Sequence, residues 1–320
     1  MNDVEPLRAR KVGVIGMGQV GSSLAYALVQ RGIATELVLV DANAEKAVGE
    51  MMDLTHGLSF TQPMKITAGS YEEVAGARVV VITAGASQKP GETRLDLLAR
   101  NAGIFRSIIP RVVECNPSGM ILVATNPVDI LTYISLKESG LPPARVIGSG
   151  TILDTSRFRF LLGQYYEVDP RSVHAYIVGE HGDSEIPLWS MANIGGVRLQ
   201  EFAPLKNKHY NQEEMNELFR TVRDAAYEII RRKGATSYAI GLGLLSIVEA
   251  ILGDFRSVLS LSTLMTGQYG VRDICLSLPS VVGANGVEEV LTIPMSPEEE
   301  KGFRGSAEKL KSTLETLARK

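Results

Sequence analysis

Five short, continuously apolar runs punctuate the first half of the chain, and they constrain the fold more than any other feature. Residues 12–15, 37–40, 79–83, 121–124 and 146–147 are rich in β-branched side chains and read as strands. They do not alternate polar with apolar, so each is expected to be buried on both faces. Amphipathic stretches at residues 20–30, 95–113 and 128–138 separate them and read as helices. Buried strands spaced by helices predict a doubly wound parallel sheet. After about residue 150 the pattern becomes mixed. Helices are expected at residues 153–163, 213–233, 237–252 and 297–319, and strands at 173–178, 197–199, 258–265 and 273–282.

A chain of 320 residues is long for one core, so two domains are expected, residues 1–149 and 150–320. The net charge of -3 supplies no basic field, which argues against a nucleic-acid partner. The most apolar internal stretch, residues 239–252, contains Glu249 and is too short to span a bilayer. The first eleven residues are polar and charged, unlike a signal segment. Cys115 and Cys275 are far apart and lack metal-ligand spacing. They read as reduced, buried thiols, and a cytoplasmic protein without a metal is expected.

The first strand leads into K-V-G-V-I-G-M-G-Q-V-G, in which Gly16, Gly18 and Gly21 form G-x-G-x-x-G at the start of a helix. The first glycine permits a tight turn, the second lets backbone approach a pyrophosphate, and the third allows close helix–strand packing. The free N–H groups of the helix start then face the phosphates. Asp41 ends the next strand, 20 residues after Gly21. A carboxylate there accepts hydrogen bonds from a ribose diol and repels a 2′-phosphate, which favours NAD over NADP. The first domain is therefore read as a Rossmann-type NAD-binding domain, followed by a mixed α+β substrate domain.

The third run leads through Ala84 into G-A-S-Q-K-P-G-E-T-R, where Gly85, Pro90 and Gly91 predict a mobile loop carrying Gln88 and Arg94. Loops at the carboxyl ends of parallel strands are where α/β proteins hold ligands. Asn126, in A-T-N-P-V-D, occupies the same edge. Only four histidines exist, His56, His174, His181 and His209, and His181 in V-G-E-H-G-D is set between glycines after a strand. Asp154 and Arg157 are spaced i, i+3 and share one helix face. A surface ion pair is the ordinary outcome of such spacing. Their place at the end of the first domain points instead to a cleft.

Taken in order, G-M-G-Q-V-G, Q-K-P-G-E-T-R-L, A-T-N-P-V-D, G-S-G-T-I-L-D-T-S-R, G-E-H-G-D-S and R-K-G-A-T-S-Y resemble the bacterial L-lactate dehydrogenases of the lactate/malate dehydrogenase superfamily. The resemblance runs essentially end to end. It implies that His181 exchanges a proton with the substrate oxygen and that Asp154 orients its ring. Arg157 would grip the substrate carboxylate bidentately, and Arg94 would arrive by loop closure to polarise the carbonyl. Asn126 would hydrogen-bond near the same oxygen, and Thr236 would line the pocket. Gly16, Gly18, Val20, Gly21, Asp41, Lys46, Gly85, Ala86, Ser107, Thr125, Asn126 and Ser149 match positions that hold NAD.

Gln88 stands where the malate enzymes of the superfamily carry an arginine for a second substrate carboxylate. Glutamine leaves that carboxylate unpaired, so pyruvate and lactate are the expected substrates. Arg159 and His174 match the pair that binds fructose 1,6-bisphosphate between subunits in allosteric relatives. By resemblance an activated homotetramer is expected. Three competing readings are a malate or broader 2-hydroxyacid dehydrogenase, a metal- and NAD-dependent glycosidase, and an NAD-binding protein without chemistry. Gln88 argues against the first, the absence of a cysteine beside His181 against the second, and the full set of His181, Asp154, Arg157 and Arg94 against the third.

Overall fold

A computed structural model describes residues 10–87, 91–208 and 210–319 of the chain. Six parallel strands make up one side of a nine-stranded sheet: β1 (Lys11–Ile15), β2 (Glu36–Val40), β3 (Lys65–Ala68), β4 (Val79–Ile82), β5 (Met120–Val123) and β6 (Val146–Gly148). They are ordered β3-β2-β1-β4-β5-β6, so the chain reverses direction across the sheet between β1 and β4. That reversal opens a crevice at the carboxyl edge, where open α/β sheets bind ligands.

The strands lack alternation because both faces are covered. Val12, Val14, Leu37, Leu39, Val79, Val81 and Leu122 pack on one side. Ile15, Val38, Val40, Val80, Ile82, Ile121 and Val123 pack on the other. The crossover helices that cover them are α1 (Gln19–Arg31), α2 (Ala44–His56), α3 (Arg94–Cys115) and α4 (Val128–Ser139). The doubly wound parallel sheet is as the sequence predicts. β3 and α2 escaped the reading, since β3 is a short edge strand whose one buried side chain is Ile66.

The second half begins with α5 (Ile152–Tyr166), leaving β6 through Ser149 and Thr151. Short strands follow: β7 (Val173–His174), β8 (Ile177–Val178), β9 (Ile186–Pro187), β10 (Asn193–Ile194) and β11 (Val197–Arg198). The single strand expected over residues 173–178 is thus two pieces, each paired in a different small sheet. Next come α6 (Leu199–Leu205), α7 (Gln212–Lys233) and α8 (Tyr238–Gly253). Phe158, Leu162 and Tyr166 of α5 join Val173, Ile177, Ile194, Met215 and Val222 in a separate core.

The chain then returns to the large sheet. β12 (Ser257–Thr266) pairs antiparallel with β6 through Ser262 and Gly148. β13 (Arg272–Gly283) and β14 (Gly286–Val290) extend that edge, and α9 (Pro297–Ala318) packs beneath. A Ser296–Glu299 capping box starts α9, and Asn43 and Asn211 cap α2 and α7. Helix α1 differs from these three. Its N-cap is Gly18, with no side-chain cap, so its first N–H groups remain available to a ligand.

Candidate active site

The carboxyl ends of β1, β4 and β5 are tied together by side chains. The Thr83 hydroxyl donates to the Gly16 carbonyl at 2.5 Å, and that of Thr125 donates to the Ala84 carbonyl at 2.8 Å. Asn101, buried on α3, accepts from the Ala86 N–H at 2.8 Å and donates to the Asn126 carbonyl at 3.2 Å. Asn126 Oδ1 in turn accepts the N–H of Val128. Gly16, Ala86, Thr125 and Asn126 are therefore fixed relative to one another, forming a rigid rim.

The three glycines have distinct geometries. Gly16 has φ of 99°, and a Cβ there would lie 2.4 Å from the Ala84 nitrogen. A Cβ on Gly21 would fall 2.0 Å from the Gly16 carbonyl oxygen, whereas one on Gly18 would meet nothing within 4 Å. The first and third glycines thus allow backbone to pack on backbone, and the second leaves an open face over the uncapped helix start. Asp41 accepts the Met17 N–H at 2.6 Å and the Asn43 N–H at 2.8 Å, one on each oxygen. Each oxygen keeps a lone pair for a diol. This donor set fits a dinucleotide: free N–H groups for the pyrophosphate and a fixed carboxylate for the ribose. Ser149 is buried and holds the Val123 carbonyl through its N–H. Val20 is half-buried on the first turn of α1. Lys46 and Ser107 are both exposed, on the first turn of α2 and in the middle of α3. The Ser107 hydroxyl is occupied by the Ile104 carbonyl of its own helix.

Across the crevice, α5 and the loop after β8 bring His181, Asp154 and Arg157 together. His181 Nδ1 lies 2.5 Å from Asp154 Oδ2, and Arg157 donates to Asp154 Oδ1 at 3.0 Å. The side chain of Asp154 is only 3% exposed and that of Arg157 12%, so this is a buried pair and not a surface one. The main chain beneath the ring is fixed as well, because the His181 backbone N–H donates to Asp129 Oδ2 at 2.7 Å. Asp129 is itself buried on α4 and accepts from the Ser262 hydroxyl at 2.6 Å.

Electrostatics follow from this packing. Burial works against a cation on His181, but the Asp154 carboxylate, aided by Asp129 and Glu185, outweighs it and pushes the ring up to about 9. Burial likewise opposes the Asp154 anion, and His181 and Arg157 overcome it, holding Asp154 below the usual carboxylate range. Asp129 is raised by burial to about 6 despite its two hydrogen bonds. Glu185 completes the cluster. A carboxyl oxygen of Glu185, a His181 nitrogen and an Asp154 oxygen lie within 4.8 Å of one another.

The loop before α3 departs from expectation. Arg94 is not a loop residue but the first residue of α3, started by a Thr93–Asp96 capping box. Its guanidinium pairs with Asp183 and the Tyr227 hydroxyl, both at 3.0 Å, and Tyr227 donates to the other Asp183 oxygen. Arg94 thereby links α3 to α7 across the loop that carries His181. Gln88 lies outside the described residues. Thr236 is half-buried between α7 and α8. Arg159, two residues beyond Arg157, turns away from the cluster, donating to the Ala175 carbonyl at 2.9 Å and covering the Tyr176 ring. His174 is exposed on β7, next to Ala175.

Asp129, Asp183, Glu185 and Tyr227 were not singled out from sequence. Asp129 had a weak signal, as a charged residue at the start of the mostly apolar first turns of α4. Glu185 and Tyr227 had none, since their partners come from distant segments.

Oxidising a 2-hydroxy acid with a nicotinamide requires a dinucleotide cradle, a proton acceptor of tuned affinity and a cation for the acid's carboxylate. The fold and the cluster supply all three, which defines a nicotinamide-dependent 2-hydroxyacid dehydrogenase. Comparison with known proteins narrows the class. Residues 10–148 match the lactate/malate dehydrogenase NAD-binding domain, and residues 151–320 match the family's α/β C-terminal domain. The L-lactate dehydrogenase of Priestia megaterium is 53% identical over 307 residues, covering 96% of each chain. L-lactate dehydrogenase 1 of Clostridium acetobutylicum is 49% identical over 307 residues, covering 96% of this chain and 98% of that one. Among solved structures, the minor L-lactate dehydrogenase of Enterococcus mundtii superposes with a TM-score of 0.93 at 46% identity, covering 97% of this chain and 98% of that one. The chain belongs to the lactate/malate dehydrogenase family, on its bacterial L-lactate dehydrogenase branch, and is an NAD-dependent enzyme.

Proposed function

We propose that the enzyme interconverts (S)-lactate and pyruvate, regenerating NAD for glycolysis in the cytoplasm, with the roles set out below. The buried His181–Asp154–Arg157 cluster carries this reading. When bound, NAD supplies the partner that takes or returns two electrons and one hydrogen at C2 of the substrate. Arg157 binds the substrate carboxylate as a planar fork, leaving its remaining donors on Asp154. His181, held by Asp154 at Nδ1, presents Nε2 to the C2 oxygen. It donates a proton as pyruvate is reduced and accepts one as lactate is oxidised. Asp154 stabilises the imidazolium and fixes the tautomer. Arg94 leaves Asp183 or shares it, polarising the carbonyl when the loop before α3 closes. Asn126 hydrogen-bonds near the same oxygen, and Thr236 forms the wall behind the C3 methyl group.

The rate's pH dependence tests the assignment. Reduction requires the proton on His181, so kcat/KM for pyruvate is expected to hold through neutral pH and to fall as pH rises through about 9. Oxidation requires the neutral ring, so kcat/KM for (S)-lactate rises over the same window, and (R)-lactate reduces no NAD. Parallel profiles in the two directions would contradict a shared proton on His181.

The proposal extends to regulation. Arg159 and Arg171 line a cavity of about 430 Å³ beside Tyr176 and Phe160. Phe160, Val258 and Leu242 are exposed here, and Leu242 also borders a second cavity with exposed Tyr26 and Tyr238, which supports assembly into a tetramer. Fructose 1,6-bisphosphate placed between copies would offset repulsion among Arg159, His174 and their symmetry mates. Millimolar effector is expected to lower the half-saturating pyruvate concentration several-fold, a coupling of about 1 kcal/mol, and Arg159→Ala to abolish that shift. Saturation curves unchanged by effector would remove this part of the proposal.

A further inference from the structure

The acid–base cluster contains a third carboxyl that the proposed chemistry does not use. Glu185 precedes β9, and its backbone N–H closes the loop by donating to the Gly182 carbonyl. Its side chain points inward, leaving the residue 6% exposed, and its Oε1 is fully buried with no hydrogen-bond partner among the described residues. Such a group is costly, and an apolar residue of similar volume would fill the space more cheaply. Its carboxyl lies within 4.8 Å of the His181 and Asp154 ligand atoms. His181 Nδ1 and Asp154 Oδ2 already bind each other, and Arg157 adds a positive charge, so the trio is an acid–base network rather than a cation cage.

We propose that Glu185 is a positioning residue for the His181–Asp154 couple, a second acid that prolongs protonation of His181 as pH rises. This rests on the proton-exchange role given to His181. Burial and the Asp154 charge keep Glu185 well above the usual carboxylate range, so it is uncharged at neutral pH. Opposing this are His181 on its own loop, Arg157 on α5 and Arg223 on α7. Asp129 on α4 acts on the same ring from behind. At neutral pH the cluster is Asp154 anionic, His181 and Arg157 cationic, and Glu185 neutral. As pH rises, Glu185 gives its proton to solvent, and the new carboxylate favours the imidazolium next to it. Loss of the His181 proton is thereby postponed. The two titrations are linked, and each group's affinity depends on the other's state.

Glu185→Gln keeps the shape and removes the ionisation. The alkaline limb of kcat/KM for pyruvate is expected to move down by about one pH unit in this variant. Glu185→Leu should move it the same way, and Glu185→Asp should restore part of the shift, since only a titratable side chain has this effect. Limbs that superimpose, or that move up, would overturn the proposal. In the unsubstituted enzyme, carbon-13 NMR of the Glu185 carboxyl should show a protonated acid at neutral pH, and an ionised carboxylate there would also overturn it. Failure of the underlying reading looks different: the unsubstituted enzyme would then show no alkaline limb at all.

Discussion

Replacing His181 with glutamine is expected to reduce kcat for pyruvate reduction by about a thousandfold or more at neutral pH. Glutamine can still donate to Asp154, so the buried carboxylate keeps a partner and the local structure should persist. What it lacks is a proton that leaves near physiological pH. The size of the loss reflects the ring's surroundings: Asp154 at 2.5 Å raises its affinity for a proton and fixes its direction, and Asp129 anchors the backbone N–H behind it. NADH binding, followed by fluorescence, should change little, because Gly16, Gly18, Gly21 and Asp41 sit on the opposite rim. A variant that kept activity within tenfold, or that lost NADH binding in step with turnover, would place the acid–base group elsewhere.

Gln88→Arg is expected to move preference from pyruvate toward oxaloacetate by at least a hundredfold in the ratio of kcat/KM values. A carboxylate brought into a closed, dry site without a counter-charge costs several kcal/mol, and about 3 kcal/mol suffices for a hundredfold change. An arginine supplies the counter-charge for oxaloacetate. For pyruvate the same arginine is itself an unpaired buried cation, so the substitution raises one term and lowers the other. Steady-state rates with both keto acids measure the ratio. An unchanged ratio would mean that residue 88 does not face the substrate.

The parallel sheet could be read from the sequence because its strands are buried on both faces, leaving runs such as residues 79–82 with no polar residue to confuse them. The glycine turn was equally readable, since its three positions answer to three local demands of one backbone path. Elements with weak burial were not: β3 contributes only Ile66 to the core, and β14 has exposed residues among buried ones. The substrate side depends on long-range packing. His181 meets Asp154 from 27 residues away and Asp129 from 52, and no local pattern records either meeting. Arg94 shows the same limit from the other side. Pro90 and Gly91 pointed to a loop, but the capping box of Thr93 and Asp96 starts α3 early enough to include Arg94.

The central claim is that this dinucleotide fold and acid–base cluster serve a keto acid with one carboxylate. The most direct measurement is the initial rate of NADH consumption with pyruvate and with oxaloacetate at equal enzyme, across a range of each substrate. The account predicts a kcat/KM for pyruvate at least a hundredfold above that for oxaloacetate, set by the unpaired second carboxylate. Equal values, or a preference for oxaloacetate, would contradict it.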